Sequence, residues 1–280
     1  NYVRRWVVDA YPWRLGASFY QSVALHLGED EPKNEKTFKF LDLRGIWDQV
    51  GALAERRSFE EPTLVLVNSA ASVLWLCREL RIRIKKGHEL IGFEHEWMNA
   101  QERAELEQAP FTWLVSTGYT QQKTKWPAIW LWEPPLTEQT SSLWLNLLEE
   151  QGQLAAVYGP KQVRELQSHL VQNYPDRKGL ARIYSLLREA EGHIDLSTAH
   201  KRLENIGMLG ALPVAIGIFS ELGLWEVTGD CIIYLPAPNQ KLDLEQAVLY
   251  NKIIKIRKQS TQYLKRCLER RFFQDELKRE

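Results

Sequence analysis

Residues 63–84 read TLVLVNSAASVLWLCRELRIRI, and their hydrophobic period changes at Asn68. The first six (TLVLVN) are aliphatic or β-branched with no polar alternation until Asn68, the pattern of a strand buried on both faces. From Ala70 onward, Val73, Leu76, Cys77 and Leu80 recur at helical spacing, so residues 70–84 read as an amphipathic helix. A buried strand that leads at once into such a helix is the unit from which parallel α/β sheets are built.

The same unit repeats outward in both directions. Residues 37–43, 89–93, 111–116, 128–132 and 154–158 read as further short strands. Residues 46–57, 100–108, 137–150 and 162–173 read as helices, the third starting at Thr137 as N-cap. Residues 2–9 read as an added strand and 17–27 as a helix. The expectation for residues 1–174 is an α/β domain with a mostly parallel, Rossmann- or RecA-like sheet.

The texture changes after Asn173. Three helices are expected at 179–190, 196–206 and 212–222, the second capped by Asp195. Residues 225–227 and 231–235 then flank Thr228-Gly229-Asp230, a hairpin turn. That order predicts a winged-helix-like domain over residues 175–240. Pro236, Pro238 and Asn239 mark a linker, and residues 242–279, free of Gly and Pro, read as one helix. The basic C-terminal helix is thus assigned to residues 241–280.

The chain has 280 residues with 36 basic and 36 acidic side chains, which excludes disorder, collagen and a disulfide scaffold. Zero net charge conceals an uneven distribution. Residues 1–160 hold 17 basic against 21 acidic residues, whereas residues 241–280 hold 11 against 6. Ten of the eleven Trp lie at or before Trp144. Trp130 and Trp132 fall in an apolar strand, so core packing outweighs base stacking as their role. Cys77, Cys231 and Cys267 are three and far apart, which suits reduced thiols and a cytoplasmic setting. No apolar run reaches the ~20 residues that span a bilayer, so no membrane association is expected. The start at Asn1, without Met or a signal-like segment, leads us to expect an interior piece of a longer protein.

Chemistry is hard to find. A phosphate cradle needs glycines that let backbone N–H groups wrap the anion, yet neither GxxxxGK[ST] nor GxGxxG occurs. The α/β domain is therefore expected to lack a P-loop and to be inactive toward nucleotides. No GxSxG elbow or catalytic cysteine signature is present either. Asp42 in Asp42-Leu43-Arg44-Gly45 ends a strand, where α/β folds place ligand groups, but a locally capped turn is favoured. A ligand at the strand ends near Asp42 and Ser69 stays open. His88, Glu89, Glu94, His95 and Glu96 resemble metal ligands, but the two His are seven apart, not four. The same holds for His193 and His200, and surface histidines are expected in both places. No catalytic residue, metal or cofactor is assigned. The third winged-helix helix carries no positive charge between Pro213 and Glu221, which suits packing or protein contact more than base reading.

The last helix differs. Lys252, Lys255, Arg257, Lys258, Lys265, Arg266, Arg270 and Arg271 face one acid, Glu269, within twenty residues. Leu249, Ile253, Ile256, Leu264 and Cys267 form an apolar stripe at ~100° per residue, with Lys255, Lys258, Lys265 and Arg266 opposite. Such a face meets solvent, phosphates or an acidic partner. The candidate nucleic-acid-binding residues are Lys252, Lys255, Lys258, Lys265, Arg266 and Arg270.

Four ordered pieces carry a resemblance. Phe40-Leu41-Asp42-Leu43-Arg44-Gly45, Leu131-Trp132-Glu133-Pro134-Pro135, Phe219-Ser220-Glu221-Leu222-Gly223-Leu224 and Lys241-Leu242-Asp243-Leu244-Glu245 with Tyr250 lie in sequence across residues 38–250. Together they resemble the C-terminal domain of the bacterial single-strand-specific exonuclease RecJ, in its Firmicutes-like form. That family degrades single-stranded DNA from the 5′ end with two metal ions held by N-terminal Asp and His motifs, none of which occurs here. The resemblance implies a non-catalytic accessory domain in recombination and repair. Its implied partners are single-stranded DNA or a DNA-repair protein, and the N-terminal catalytic domains of the parent chain. The competing expectation is a protein-interaction or oligomerisation scaffold with a degenerate nucleotide-binding fold.

Overall fold

Strands that occupy the interior of a parallel sheet lose both faces to crossover helices, so they must be apolar throughout. In the computed structural model, which describes residues 38–44, 48–55, 61–84, 90–95, 98–118, 125–188, 192–236 and 243–269, six strands form one sheet, and the inner strands Thr63–Leu66 and Trp113–Ser116 meet that demand in full. The six are Lys39–Asp42 (β1), Thr63–Leu66 (β2), Ile91–Glu94 (β3), Trp113–Ser116 (β4), Trp126–Leu131 (β5) and Leu148–Ala156 (β6). Their order is β1-β6-β5-β2-β4-β3 and every pairing is parallel. All residues of β2 and β4 are buried, as the unbroken apolar sequence predicts. The edge strand β1 is exposed or half-buried instead. The β5–β6 register shifts between Trp126 and Ala128, at Pro127, which has no N–H for the ladder.

Helices Gln49–Glu55 (α1), Ala70–Arg83 (α2), Ala100–Gln108 (α3) and Glu138–Asn146 (α4) provide connections between these strands. Their starts are written in the sequence. Ser69 Oγ accepts from Ser72 N at 3.1 Å, and Thr137 Oγ1 accepts from Thr140 N at 3.1 Å. Asn99 and Glu102 form a reciprocal capping box. After β2 the chain travels through α2 toward β3, and after β5 it travels the opposite way through α4 to β6. Neighbours β2 and β5 therefore enclose the topological switch point of the sheet at their C-terminal ends. The expected α/β class with a mostly parallel sheet is what the structure has.

The described residues divide into two compact units. One comprises those up to residue 166 together with 262–269, and the other residues 167–261. Helix Pro160–Asn173 (α5) leads from the sheet into the second unit. There Arg177–Arg188 (α6), His193–Asp195 (β7), Leu196–Asn205 (α7), Leu212–Glu221 (α8), Trp225–Thr228 (β8) and Cys231–Tyr234 (β9) follow in winged-helix order. The three strands form an antiparallel sheet β7-β9-β8. Gly229 at φ +59° turns the expected hairpin, a conformation that costs a side-chain-bearing residue. Tyr184, Phe219, Trp225 and Tyr234 form the aromatic core, with Phe219 and Trp225 centroids 4.5 Å apart. Asp195 stands at the N-cap of α7 as expected, but its side chain makes no capping bond and accepts from Cys231 Sγ instead.

The C-terminal helix departs from expectation. A 3₁₀ turn at Leu244–Gln246 precedes it, and among the described residues the helix proper is Val248–Arg266 (α9); residues 242 and 270–279 of the expected helix lie outside the described residues. Its start is held by Glu221, whose Oε2 accepts from Leu249 N at 3.1 Å. Leu249 packs so closely on Gly217 of α8 that a Cβ there would collide with it. Farther along, Arg257 donates to Tyr174 O at 3.0 Å. Beyond its last residue the chain turns, and the carbonyls of that turn are held by side chains from the sheet unit. Cys267 O accepts from Arg44 NH1 at 2.8 Å and from Tyr158 OH at 3.1 Å, and Glu269 O accepts from Arg44 NH1 at 2.8 Å. The same guanidinium grips Asp42, whose carboxylate accepts from Nε at 2.8 Å and NH2 at 2.7 Å.

Replacing Arg44 by Met keeps the stem and removes the fork. Urea denaturation is expected to show a loss of about 2–4 kcal/mol, from charge-assisted bonds in a nearly buried site. Arg44→Lys restores little, because a single ammonium cannot bind a carboxylate side-on and two carbonyls at once. An unchanged midpoint in both variants would refute the clamp.

Candidate nucleic-acid interface

Helix α9 contains no Asp or Glu, so its polar face can carry only positive charge and neutral amides. Ile253, Ile256, Ser260, Tyr263 and Leu264 are buried along one side. On the other, Lys252, Lys255, Lys258 and Lys265 are exposed, preceded by exposed Asn251 and interleaved with exposed Gln259 and Gln262. At 1.5 Å per residue, Lys252 and Lys265 stand about 20 Å apart along the axis. None of the four lysines makes an ion pair among the described residues. Arg257 turns away, toward Tyr174 O and Asp176. Arg266 is half-buried, and Arg270 lies outside the described residues. The structure thus brings Lys252, Lys255, Lys258 and Lys265 onto one face.

Helix α8, which holds the place of a winged helix's reading helix, is mostly interior. Leu212, Val214, Ala215, Ile218 and Phe219 are buried, and only Ser220 and Glu221 are exposed. Its apolar sequence is explained by this packing.

The switch point of the parallel sheet is occupied by the protein itself. Glu133, just after β5, accepts through Oε2 from Asn68 N at 2.6 Å and through Oε1 from Ser72 Oγ at 2.6 Å. Asn68 Nδ2 adds a bond to Glu133 at 3.2 Å and one to Pro134 O at 2.8 Å. A carboxylate therefore sits beside the N-terminus of α2, where phosphates sit in dinucleotide-binding sheets, and repels any second anion. Ser69 is committed to its cap, and Asp42 to Arg44 and to its own turn, where Oδ1 accepts from Arg44 N at 3.1 Å. The locally capped turn expected at Asp42 is present, extended by the unforeseen reach of Arg44.

The histidine expectation needs correction. His95 is buried beneath the C-terminal ends of the strands, stacked on Phe93 at 6.2 Å, and is not at the surface. Burial lowers its pKa to about 4. Adjacent Glu94, also buried, is raised to about 7 by desolvation, which outweighs Arg103 at 3.4 Å and the Ser116 hydroxyl at 3.3 Å. His193 is exposed, His200 is half-buried, and His88, Glu89 and Glu96 lie outside the described residues. No group of three metal-binding side chains occurs among the described residues. Burial pushes the Cys77 thiol up to about 12, which makes it a packing residue.

One residue escaped notice in the sequence. Of the described tryptophans, Trp113, Trp126, Trp130, Trp132, Trp144 and Trp225 are buried, but Trp75 is 50% exposed. Its signal was its phase: it lies off the Val73–Leu76–Leu80 stripe of α2, seven residues before the equally misplaced Ile82.

No protein-family model matches the chain, and no curated protein matches it. Solved structures similar to it include the helicase Lhr of Mycobacterium smegmatis bound to single-stranded DNA and AMP-PNP (14% identity, TM-score 0.37, 73% of this chain and 33% of that one). Others are the helicase MrfA, a DUF1998 protein bound to DNA and AMPPNP (14%, 0.37, 77% and 34%), and the C-terminal domain of a possible DNA helicase from Lactobacillus plantarum (14%, 0.30, 52% and 86%). The chain thus spans about a third of the length of Lhr and MrfA. The expected relationship to RecJ is corrected by these findings: the similar structures are helicases, and no RecJ family model matches. No helix among the described residues is long and apolar enough to cross a membrane.

The Glu94–His95 pair gives a signed pH response. A carboxyl raised to about 7 contributes stability that is complete below its ordinary 4.5 and lost as pH rises through 7. A histidine lowered to about 4 contributes stability that is complete above 6.5 and lost as pH falls through 4. The two opposing slopes largely cancel in the native chain. Glu94→Gln removes the first, so thermal melts at pH 5 and pH 8 are expected to show the variant gaining on the parent by at least about 1.4 kcal/mol at the higher pH, one pKa unit's worth. A pH-independent difference would contradict the raised carboxyl.

Proposed function

We propose that the chain is a non-catalytic accessory module that holds single-stranded DNA along the basic face of α9. The observation that carries this reading is the exposed row Lys252, Lys255, Lys258 and Lys265, with no carboxylate on the helix and no ion pair among the described residues to neutralise it. Four ammonium groups over about 20 Å suit a flexible polyanion, which follows the row and releases its counterions. Exposed Gln259 and Gln262 between them add hydrogen-bonding groups that tolerate any base. The non-catalytic part of the proposal is supported by the Glu133 carboxylate at the switch point and by the missing phosphate-cradle and nucleophile motifs.

The test is fluorescence anisotropy of labelled oligothymidylate across a salt series. Four neutralised phosphates give an expected slope of log K against log salt of about −2.8 on a single strand. Reversing Lys252, Lys255, Lys258 and Lys265 to Glu is expected to abolish binding. Lys161→Glu, on α5, changes net charge equally per site and is expected to leave binding intact. A flat salt dependence, or binding that survives the fourfold reversal, would overturn the proposal.

A further inference from the structure

The exposed side of α2 combines three kinds of side chain on one stripe. Trp75 is 50% exposed and Ile82 65% exposed, seven residues on. Arg78 lies between them along the helix, one turn from each, and is exposed, as is Arg81. Neither arginine has an ion-pair partner among the described residues, whereas Arg83 is paired with Asp48 at 2.6 Å. Half-buried Glu79 flanks Trp75 on the far side. The Trp75 ring is propped on buried Trp132, with centroids 6.1 Å apart and planes at 39°. The indole is therefore held in place from beneath while half of its surface stays open to solvent.

Exposure of a large aromatic beside unpaired arginines needs an explanation. A docking groove for an apolar helix would present a contiguous apolar patch, but here a guanidinium interrupts Trp75 and Ile82. The combination matches instead what an unpaired nucleobase requires: a fixed aromatic face to stack on and a cation nearby for its phosphate. We infer that Trp75 and Arg78 form a stacking site for one unpaired base of a single-stranded nucleic acid, with Arg81 as a second phosphate contact. The inference deepens the single-strand reading above and adds to it a site on a different helix.

The experiment measures quenching of protein tryptophan fluorescence by short oligothymidylate, alongside anisotropy with the longer labelled strand. Trp75→Leu keeps an apolar side chain against Trp132 and removes the π face. It is expected to abolish most of the quench and to weaken the longer strand at least about fivefold, the low end for one stacked base, with the salt slope unchanged. Trp75→Phe is expected to recover much of the affinity, which a merely structural role would not predict. Arg78→Gln is expected to lower the salt slope by about 0.7. Persistence of the quench in the fourfold lysine reversal would support the Trp75 site even if the α9 reading fails. A folded Trp75→Leu variant with unchanged quench and affinity would overturn it while leaving α9 untouched.

Discussion

A guanidinium 223 residues away in sequence holds the end of helix α9. Arg44 leaves the first strand of the sheet, braces itself on the Asp42 carboxylate and spends its remaining donors on the carbonyls of Cys267 and Glu269. A helix that ends inside a folded unit leaves carbonyls that must be satisfied, and an arginine fork satisfies two at once. Its grip holds the backbone just past the last turn of the helix. Phase is what sorts Leu264 and Cys267 to the inside and Lys265 to the outside. Asp42 strengthens the arrangement by a two-point charge-assisted pair, and their hydrogen bond raises the guanidinium pKa above its already high ordinary value.

The function proposed for α9 follows from how charge is distributed once that phase is set. Several arginines and carboxylates are consumed in structural bonds: Arg44 with Asp42, Arg257 with Tyr174 and Asp176, Arg103 with Glu94. Lysine is left over on the surface, where its strongly hydrated ammonium remains available to a mobile anion. At the switch point the sign is reversed. Glu133 supplies the anion from within the fold and satisfies the groups that a phosphate would otherwise engage. A site that is attractive to polyanions and one closed to small anions thus sit on different helices of the same chain.

Much of this was legible from residues alone. The inner parallel strands announce themselves by apolar runs such as Thr63–Leu66, and the caps Ser69, Asn99 and Thr137 mark helix starts by local chemistry. The third winged-helix helix is correctly read as a packing element, since its composition alone forbids base reading. Strand β7 was missed because three residues, His193–Asp195, are too short for a period to show. His95 was misplaced at the surface because seven-residue spacing excludes a zinc helix without saying anything about burial. The ordered motifs that resembled RecJ are only five or six residues each, taken mostly from the ends of strands and helices, and such short segments recur across unrelated proteins for local steric reasons.

By itself, the sequence determined the fold class, the absence of acidic residues from α9 and the face on which its lysines lie. These depend on periodicity and local hydrogen bonds, which act within a few residues. Only the tertiary structure decided where α9 ends, that Glu133 fills the switch point, that Glu94 and His95 are buried side by side and that Trp75 alone among the described tryptophans is exposed. Each of those depends on groups brought together from distant parts of the chain, and burial is a property of the neighbours a residue acquires on folding.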